Sequence, residues 1–350
     1  MSLDDANAMH KVDQSGMLSI MERTPSRLSP PVDALSTCHG DFGTFENVVF
    51  GGMGGSGIVG DLVSDYCREW AEVPISVCRA LRIPKFVGKR TLFVAISYSG
   101  ETRETLGQLD QAKRAGARIV AITSGGRLLS LAKDEGMAYL RVRSDLLPRI
   151  ALPELTAAVF FVMGSTKLLP DASKLLLEAA KSLGDLIMKV KSTVPSRQNN
   201  AKQMAQALVD RLPLIIGDEA YASVLRRFKN ELNENSKMPA ICHTIPEGYH
   251  DDIEGLRALG QLSKPQPIFL RTRNESEGQN RTREQLTLLL SDLGFPPVLE
   301  FGGNGNDELS QLLTATTFAD YVSVYLAIVR GVDPSELRFI PSFREAMRGR

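Results

Sequence analysis

Charge of one sign is what this chain most clearly lacks: 41 Lys plus Arg balance 41 Asp plus Glu across 350 residues, for a formal net charge of zero. That balance leaves no basic stripe to track a phosphodiester backbone, so no nucleic-acid partner is expected and any selectivity for charge has to be local. Cysteine is scarce as well. Cys38, Cys67, Cys78 and Cys242 are scattered without C-x-x-C spacing, which argues against a disulfide framework and for reduced thiols in a cytoplasmic protein. A long apolar run is missing too. Leu155 to Met163, followed by Gly164, falls far short of the ~20 residues a spanning helix needs and reads as a buried helix, so no membrane partner is expected. Residues 1–17 intersperse Asp4, Asp5, His10, Lys11 and Asp13 and contain no apolar core of a secretory signal. Low-complexity segments and short-period repeats are also absent from the sequence.

With 43% hydrophobic residues, a chain of this length buries two ordinary cores, and two domains are expected. Short apolar strands at Val48–Phe50, Ile75–Cys78, Leu92–Ile96, Ile119–Ile122 and Ala138–Val142 alternate with helical spacing over 57–70, 101–115 and 127–134. This order predicts a doubly wound parallel sheet flanked by helices, an α/β fold. A connecting helix runs from Asp171, a suitable N-cap, to Lys191 and is broken at Thr193-Val194-Pro195. The boundary is therefore placed between residues 1–194 and 195–350. Beyond it, strands at 213–216, 240–244, 267–270 and 297–301 and helices at 221–235, 277–291 and 315–329 predict a second open sheet of the same kind.

Two strand-to-helix turns carry the chemistry. Val48-Val49-Phe50 runs into Gly51-Gly52-Met53-Gly54-Gly55-Ser56-Gly57, and Val94-Ala95-Ile96 runs into Ser97-Tyr98-Ser99-Gly100-Glu101-Thr102. Glycine lets backbone approach an oxyanion, a helix start aims N–H groups at it, and hydroxyls donate the remaining hydrogen bonds. Together the turns read as a grip for a small phosphorylated ligand, held by Gly55, Ser56, Ser97, Ser99 and Thr102. The rival is a dinucleotide fingerprint, since Gly52, Gly54 and Gly57 satisfy G-x-G-x-x-G. Such a site wants an acidic residue ending the second strand, where this chain has Arg79. An arginine suits only a 2′-phosphate, and the hydroxyls of the second turn exceed what a nicotinamide site explains.

These loops resemble the sugar isomerase (SIS) domain. The resemblance extends along nearly the whole chain to the phosphoglucose isomerase superfamily, and within it to the bifunctional phosphoglucose/phosphomannose isomerases. It is carried by Asp13 to Met17, Gly51 to Ser56, Ser97 to Thr105, Asn230 to Pro239 with His250 beyond, and Tyr321 to Pro334. It implies two SIS-type domains, a homodimer, no cofactor or metal, and interconversion of glucose 6-phosphate and fructose 6-phosphate, with mannose 6-phosphate a further substrate.

Aldose–ketose isomerisation requires ring opening and transfer of a proton between neighbouring carbons through an enediol, hence one base, one ring-opening acid/base and one cation. Glu234 matches the family's base. In the helix containing it, Tyr221, Val224, Leu225, Phe228 and Leu232 form one apolar stripe, and Glu234 falls away from that stripe near the helix end, where the dipole disfavours an anion. Glu231, one turn earlier, is its local rival. His250 matches the ring-opening imidazole, which the resemblance places across a dimer interface, although Tyr249, Asp251 and Asp252 replace its usual neighbours. Arg149, in the proline-bracketed Leu146–Pro153 segment, matches the cation for the enediolate oxygen. Cys242-His243 reads as strand packing and not as a metal pair.

One departure stands out. The family's C-terminal tail usually carries a sugar-contacting lysine, whereas this chain has no lysine after Lys264, and Arg344 is the nearest substitute. Arginine keeps the charge but cannot give up a proton. The alternatives are a sugar-phosphate sensor that binds without turning over and an isomerase of another phosphosugar.

Overall fold

The computed structural model describes residues 2–28, 44–169 and 171–348, so Cys38 and Pro170 lie outside the described residues. Among the described residues, nine strands form two sheets, every pairing parallel. β1 (Asn47–Gly51), β2 (Ile75–Cys78), β3 (Thr91–Ile96), β4 (Arg118–Thr123) and β5 (Ala138–Arg141) lie in the order β2-β1-β3-β4-β5. β6 (Leu212–Asp218), β7 (Ile241–Ile245), β8 (Pro265–Arg271) and β9 (Leu299–Gly302) lie in the order β7-β6-β8-β9. The expected doubly wound α/β architecture is present twice.

Alternation along the strands decides which core each side chain joins. Val48, Phe50, Leu92, Val94, Ile96, Val120 and Ile122 face a shared interior, while Val49, Phe93, Ala95 and Ala121 join Leu109, Ala112 and Leu128 in a separate outer cluster. The second sheet repeats this division. Ile215, Ile268 and Leu270 enter the shared interior, and Leu214, Ile216 and Phe269 pack outward with Leu286 and Leu290. One core therefore fills the space between the two sheets, and the helices Leu152–Ser165, Ala172–Val190, Ala222–Glu234 and Glu308–Val329 contribute to it.

Glu308–Val329 differs from its sequence reading in length. It begins seven residues before the expected Ala315, and by length and composition it is apolar enough to cross a membrane, yet 89% of its apolar window is buried in the fold. Burial on all sides explains the late start: Leu309, Leu312 and Leu313 are interleaved with equally buried Ser310, Gln311 and Thr314, so no one-faced stripe announces the first turns. Leu155 to Met163 lies within the buried helix Leu152–Ser165, as expected. Asp171 caps its helix by accepting from the Lys174 N–H at 3.2 Å.

The N-terminal arm is tied to the body by a buried lysine. Lys202 Nζ donates to Leu3 O at 2.6 Å and Ser192 O at 2.9 Å, and it lies over the Tyr325 ring. Within the arm, the Asp13 carboxylate accepts from the backbone N–H groups of Met17 and Leu18, which turns the chain at Gly16 (φ 67°) into the helix Met17–Met21.

Candidate active site

Chain order makes the first sheet's switch point fall between β1 and β3, because the chain leaves β1 toward β2 on one side and returns to β3 on the other. Both predicted anion loops emerge there. Helix Gly54–Cys67 starts directly after β1, and its approach is close: a Cβ on Gly57 would stand 2.8 Å from the Gly52 carbonyl oxygen, so only glycine fits. The second loop is braced internally. Ser97 Oγ donates to Thr102 Oγ1 at 2.9 Å and accepts from the Gly100 N–H at 3.1 Å, and Ser99 Oγ accepts from the Glu101 N–H at 3.3 Å. Ser56 Oγ accepts from the Tyr98 N–H at 3.4 Å, which brings the two loops together. Ser99 is exposed, Ser56 and Thr102 are half-buried and Ser97 is buried.

Arg79 does not wait for a 2′-phosphate. Its guanidinium ion-pairs with Asp61 and donates to Gly57 O at 3.0 Å, so it staples β2 to the helix behind the glycine loop.

The first half meets the second at Arg149. Tyr98 Oη accepts from the Leu146 N–H at 3.0 Å and holds the Leu146–Pro153 segment against the second loop. A Cβ on Gly55 would lie 3.9 Å from Arg149 Cα and 3.7 Å from Arg227 Nη1, so the glycine loop opens directly onto this cluster. Arg149 is 5% exposed. Its Nε donates to Asn235 Oδ1 at 2.8 Å, and its Nη2 donates to the carbonyls of Pro334 and Ser335, each at 2.7 Å. Burial lowers its pKa, while the nearby Glu231 and Glu234 charges act in the opposite sense.

Glu234 is half-buried at the last turn of helix Ala222–Glu234, off the stripe of Val224, Leu225, Phe228 and Leu232, all of which are buried. Its carbonyl accepts from Lys237 Nζ at 3.0 Å, and the same ammonium reaches the carbonyls of Asn235 at 3.1 Å and Asp333 at 2.6 Å. Arg149 and Lys237 thus clamp residues 333–335 onto the helix end beside Glu234. Burial, reinforced by the Arg149 charge, lowers the Lys237 pKa.

Glu231 occupies a different environment. It is 2% exposed, its Oε1 pairs with Arg227 Nη1 at 2.7 Å and its Oε2 accepts from Asn235 Nδ2 at 2.9 Å. Burial raises its carboxyl pKa above the ordinary carboxylate range, against the pull of Arg227. Arg227 in turn binds both Asp320 oxygens, at 2.9 and 3.0 Å, and donates to Arg149 O at 2.6 Å. A cleft borders this cluster, lined by Arg149, Arg227, Glu231, Asn235 and Asp320 together with Met17 and Met21 of the arm; the two strand-end loops and Glu234 do not line it.

Among the described residues, neither His250 nor Arg344 makes a hydrogen bond or ion pair with these groups. His250 is exposed, its ring 4.8 Å from that of Tyr249, and no hydrogen bond or ion pair joins it to Glu234 or Arg149 among the described residues. The loop below it is anchored where the sequence substitutes Asp252, whose carboxylate pairs with His243 Nδ1. Arg344 is exposed on the helix Phe339–Arg348. The sequence reading missed the Arg227–Glu231–Asn235 cluster; Arg227 precedes Glu231 by four residues on one helix, a spacing legible in the sequence, but nothing local announces that the pair is buried.

The chain is similar to known proteins along most of its length. Residues 45–138 match the SIS domain model, and residues 197–347 match the bacterial phospho-glucose isomerase C-terminal SIS domain. Among solved structures, a glucose-6-phosphate isomerase like protein from Thermus thermophilus shares the fold at a TM-score of 0.65 and 16% identity, covering 99% of both chains. Among curated proteins, the bifunctional phosphoglucose/phosphomannose isomerase of Caldicellulosiruptor bescii is 32% identical over 84% of this chain and 87% of its own length. That of Thermoplasma acidophilum is 31% identical over 87% of this chain and 90% of its own length. With paired anion loops on one lobe, the Asn-Glu-Asn-Ser-Lys helix end on the other and this depth of similarity along the chain, the protein belongs to the bifunctional phosphoglucose/phosphomannose isomerase family.

Proposed function

We propose that this protein is an aldose–ketose isomerase that interconverts glucose 6-phosphate and fructose 6-phosphate and also accepts mannose 6-phosphate. The observation that carries the reading is the junction at Arg149: the glycine loop stands against its backbone, and its side chain is hydrogen-bonded to Asn235, the residue after Glu234. Ser56, Ser97, Ser99, Thr102 and the Gly55 backbone hold the remote phosphate, which turns binding energy at a non-reacting group into orientation of the first two sugar carbons. Glu234 removes the proton from the carbon beside the carbonyl and returns it to the neighbouring carbon. Arg149 stabilises the enediolate oxygen. His250 moves the ring-opening proton and comes from a second subunit, in keeping with its exposure in the single chain. The chemistry needs no group beyond these side chains.

The test is turnover of fructose 6-phosphate and mannose 6-phosphate by purified protein, with glucose 6-phosphate formation coupled to a dehydrogenase. The Glu234→Gln protein is expected to bind substrate and lose turnover by ~10²-fold or more; normal turnover by it removes Glu234 from the mechanism. A second reading, a sensor that binds sugar phosphate without isomerising it, is favoured by one observation, the exposed position of Arg344 where the family has its tail lysine. Tight binding by the wild-type protein without any turnover would select that reading.

A further inference from the structure

Every hydrogen-bond acceptor that holds the Arg149 side chain is electrically neutral: one amide oxygen and two backbone carbonyls. A carboxylate in direct contact would fix a guanidinium as firmly, but it would cancel much of the charge the enediolate oxygen is to meet. Arg149 Nη1 carries no hydrogen bond among the described residues, so one edge of the guanidinium remains for a ligand. The orientation of the holding amide is itself fixed from behind. Both Asn235 Nδ2 hydrogens are taken, by Glu231 Oε2 and by Ser323 Oγ, each at 2.9 Å, so the carbonyl oxygen must turn to Arg149. Ser323 Oγ is committed as well, donating to Asp320 O at 2.7 Å.

We propose that Glu231 is a positioning residue for Arg149: acting through the Asn235 amide, it aims the guanidinium at the substrate oxyanion while staying one residue removed from it. This rests on the isomerase reading above and adds to it the role of a buried carboxylate that the proton transfer does not use. The charged groups facing Glu231 are Arg227 and Glu234 on its own helix, Asp320 on the helix Glu308–Val329, and Arg149 on the loop of the first half. Both Glu231 oxygens accept hydrogen bonds from donors, Arg227 and Asn235, so the relay as built needs the ionised form. Since burial raises its pKa, the working form is filled as pH rises and emptied as pH falls.

The experiment compares wild-type protein with Glu231→Gln and Glu231→Asp, following kcat, KM and the pH profile of kcat/KM for fructose 6-phosphate. Calorimetry follows binding of 5-phospho-D-arabinonate, whose carboxylate stands in for the enediolate, and of inorganic phosphate. A misaimed guanidinium is expected to lower kcat roughly 10²-fold with KM within about threefold, and the analogue is expected to weaken far more than phosphate. Glu231→Gln should also lose the rise of kcat/KM with pH that ionisation of Glu231 imposes, which a purely structural carboxylate would not control. Glu231→Asp, which keeps the charge but withdraws the carboxylate from the Asn235 amide, decides the matter if Glu231→Gln fails to fold. The proposal is overturned if the folded variants keep wild-type kcat, pH profile and analogue affinity. Wild-type protein that fails to turn over any sugar phosphate would instead refute the isomerase reading; analogue binding by the variants would then still decide the role of Glu231.

Discussion

Replacing Arg149 by lysine keeps the positive charge and removes the fork, which makes it the sharpest probe of the junction between the two halves. The guanidinium serves three acceptors from two nitrogens: Asn235 Oδ1 from Nε, and the Pro334 and Ser335 carbonyls from Nη2. An ammonium at the end of a lysine reaches one of these directions at a time, leaving two buried acceptors without their charged donor. At ~1.5 kcal/mol or more for each charge-assisted bond, the folded state should lose about 3 kcal/mol, read as a shift in urea midpoint at unchanged slope. The catalytic loss is separate. Removing a preorganised donor from an oxyanion costs about 2.7–4 kcal/mol of barrier, roughly 10²–10³-fold in kcat, and the coupled fructose 6-phosphate assay measures it directly. An Arg149→Lys protein that keeps kcat and loses only KM would show that the group binds substrate and transition state equally, and the oxyanion role would be wrong.

Three further outcomes follow from the same geometry. A methyl on Gly55 meets nothing nearer than 3.7 Å, so Gly55→Ala should leave stability unchanged or raise it by up to ~1 kcal/mol while KM for the sugar phosphate rises; a thermal melt paired with steady-state kinetics separates the two effects. Mixing inactive Glu234→Gln with inactive His250→Asn under conditions of subunit exchange should restore about a quarter of wild-type activity, because half the dimers are mixed and each contains one intact site; no recovery would place His250 within its own subunit. Asp65, buried and accepting from the Ser223 N–H at 2.8 Å, has its carboxyl pushed by burial from 3.8 up to about 6. The folded state therefore holds a proton that the unfolded chain has released, and the resulting stability declines as pH rises from about 4 to about 6, by at most ~3 kcal/mol, a slope that Asp65→Asn should flatten in denaturation curves taken across that range.

The sequence by itself determined the repeating strand–helix order, the two glycine- and hydroxyl-rich turns at strand ends and the placing of Glu234 off its helix's apolar stripe. These are local properties: a period of two or of 3.6, a glycine where backbone must come close, a hydroxyl at a helix start. Only the tertiary structure decided which charges are buried. Arg149, Arg227, Asp320 and Lys202 belong to residue types ordinarily left in water, and each is buried or partly so because partners arrive from elsewhere in the chain, as Asn235 does for Arg149, Asp320 for Arg227 and Leu3 for Lys202. The same holds for the start of the helix Glu308–Val329, whose first turns show no one-sided pattern because neighbours enclose them on every side. Periodicity reports the face an element turns inward. Whether a charge can be buried depends on what meets it there, and that is settled only when distant segments come together.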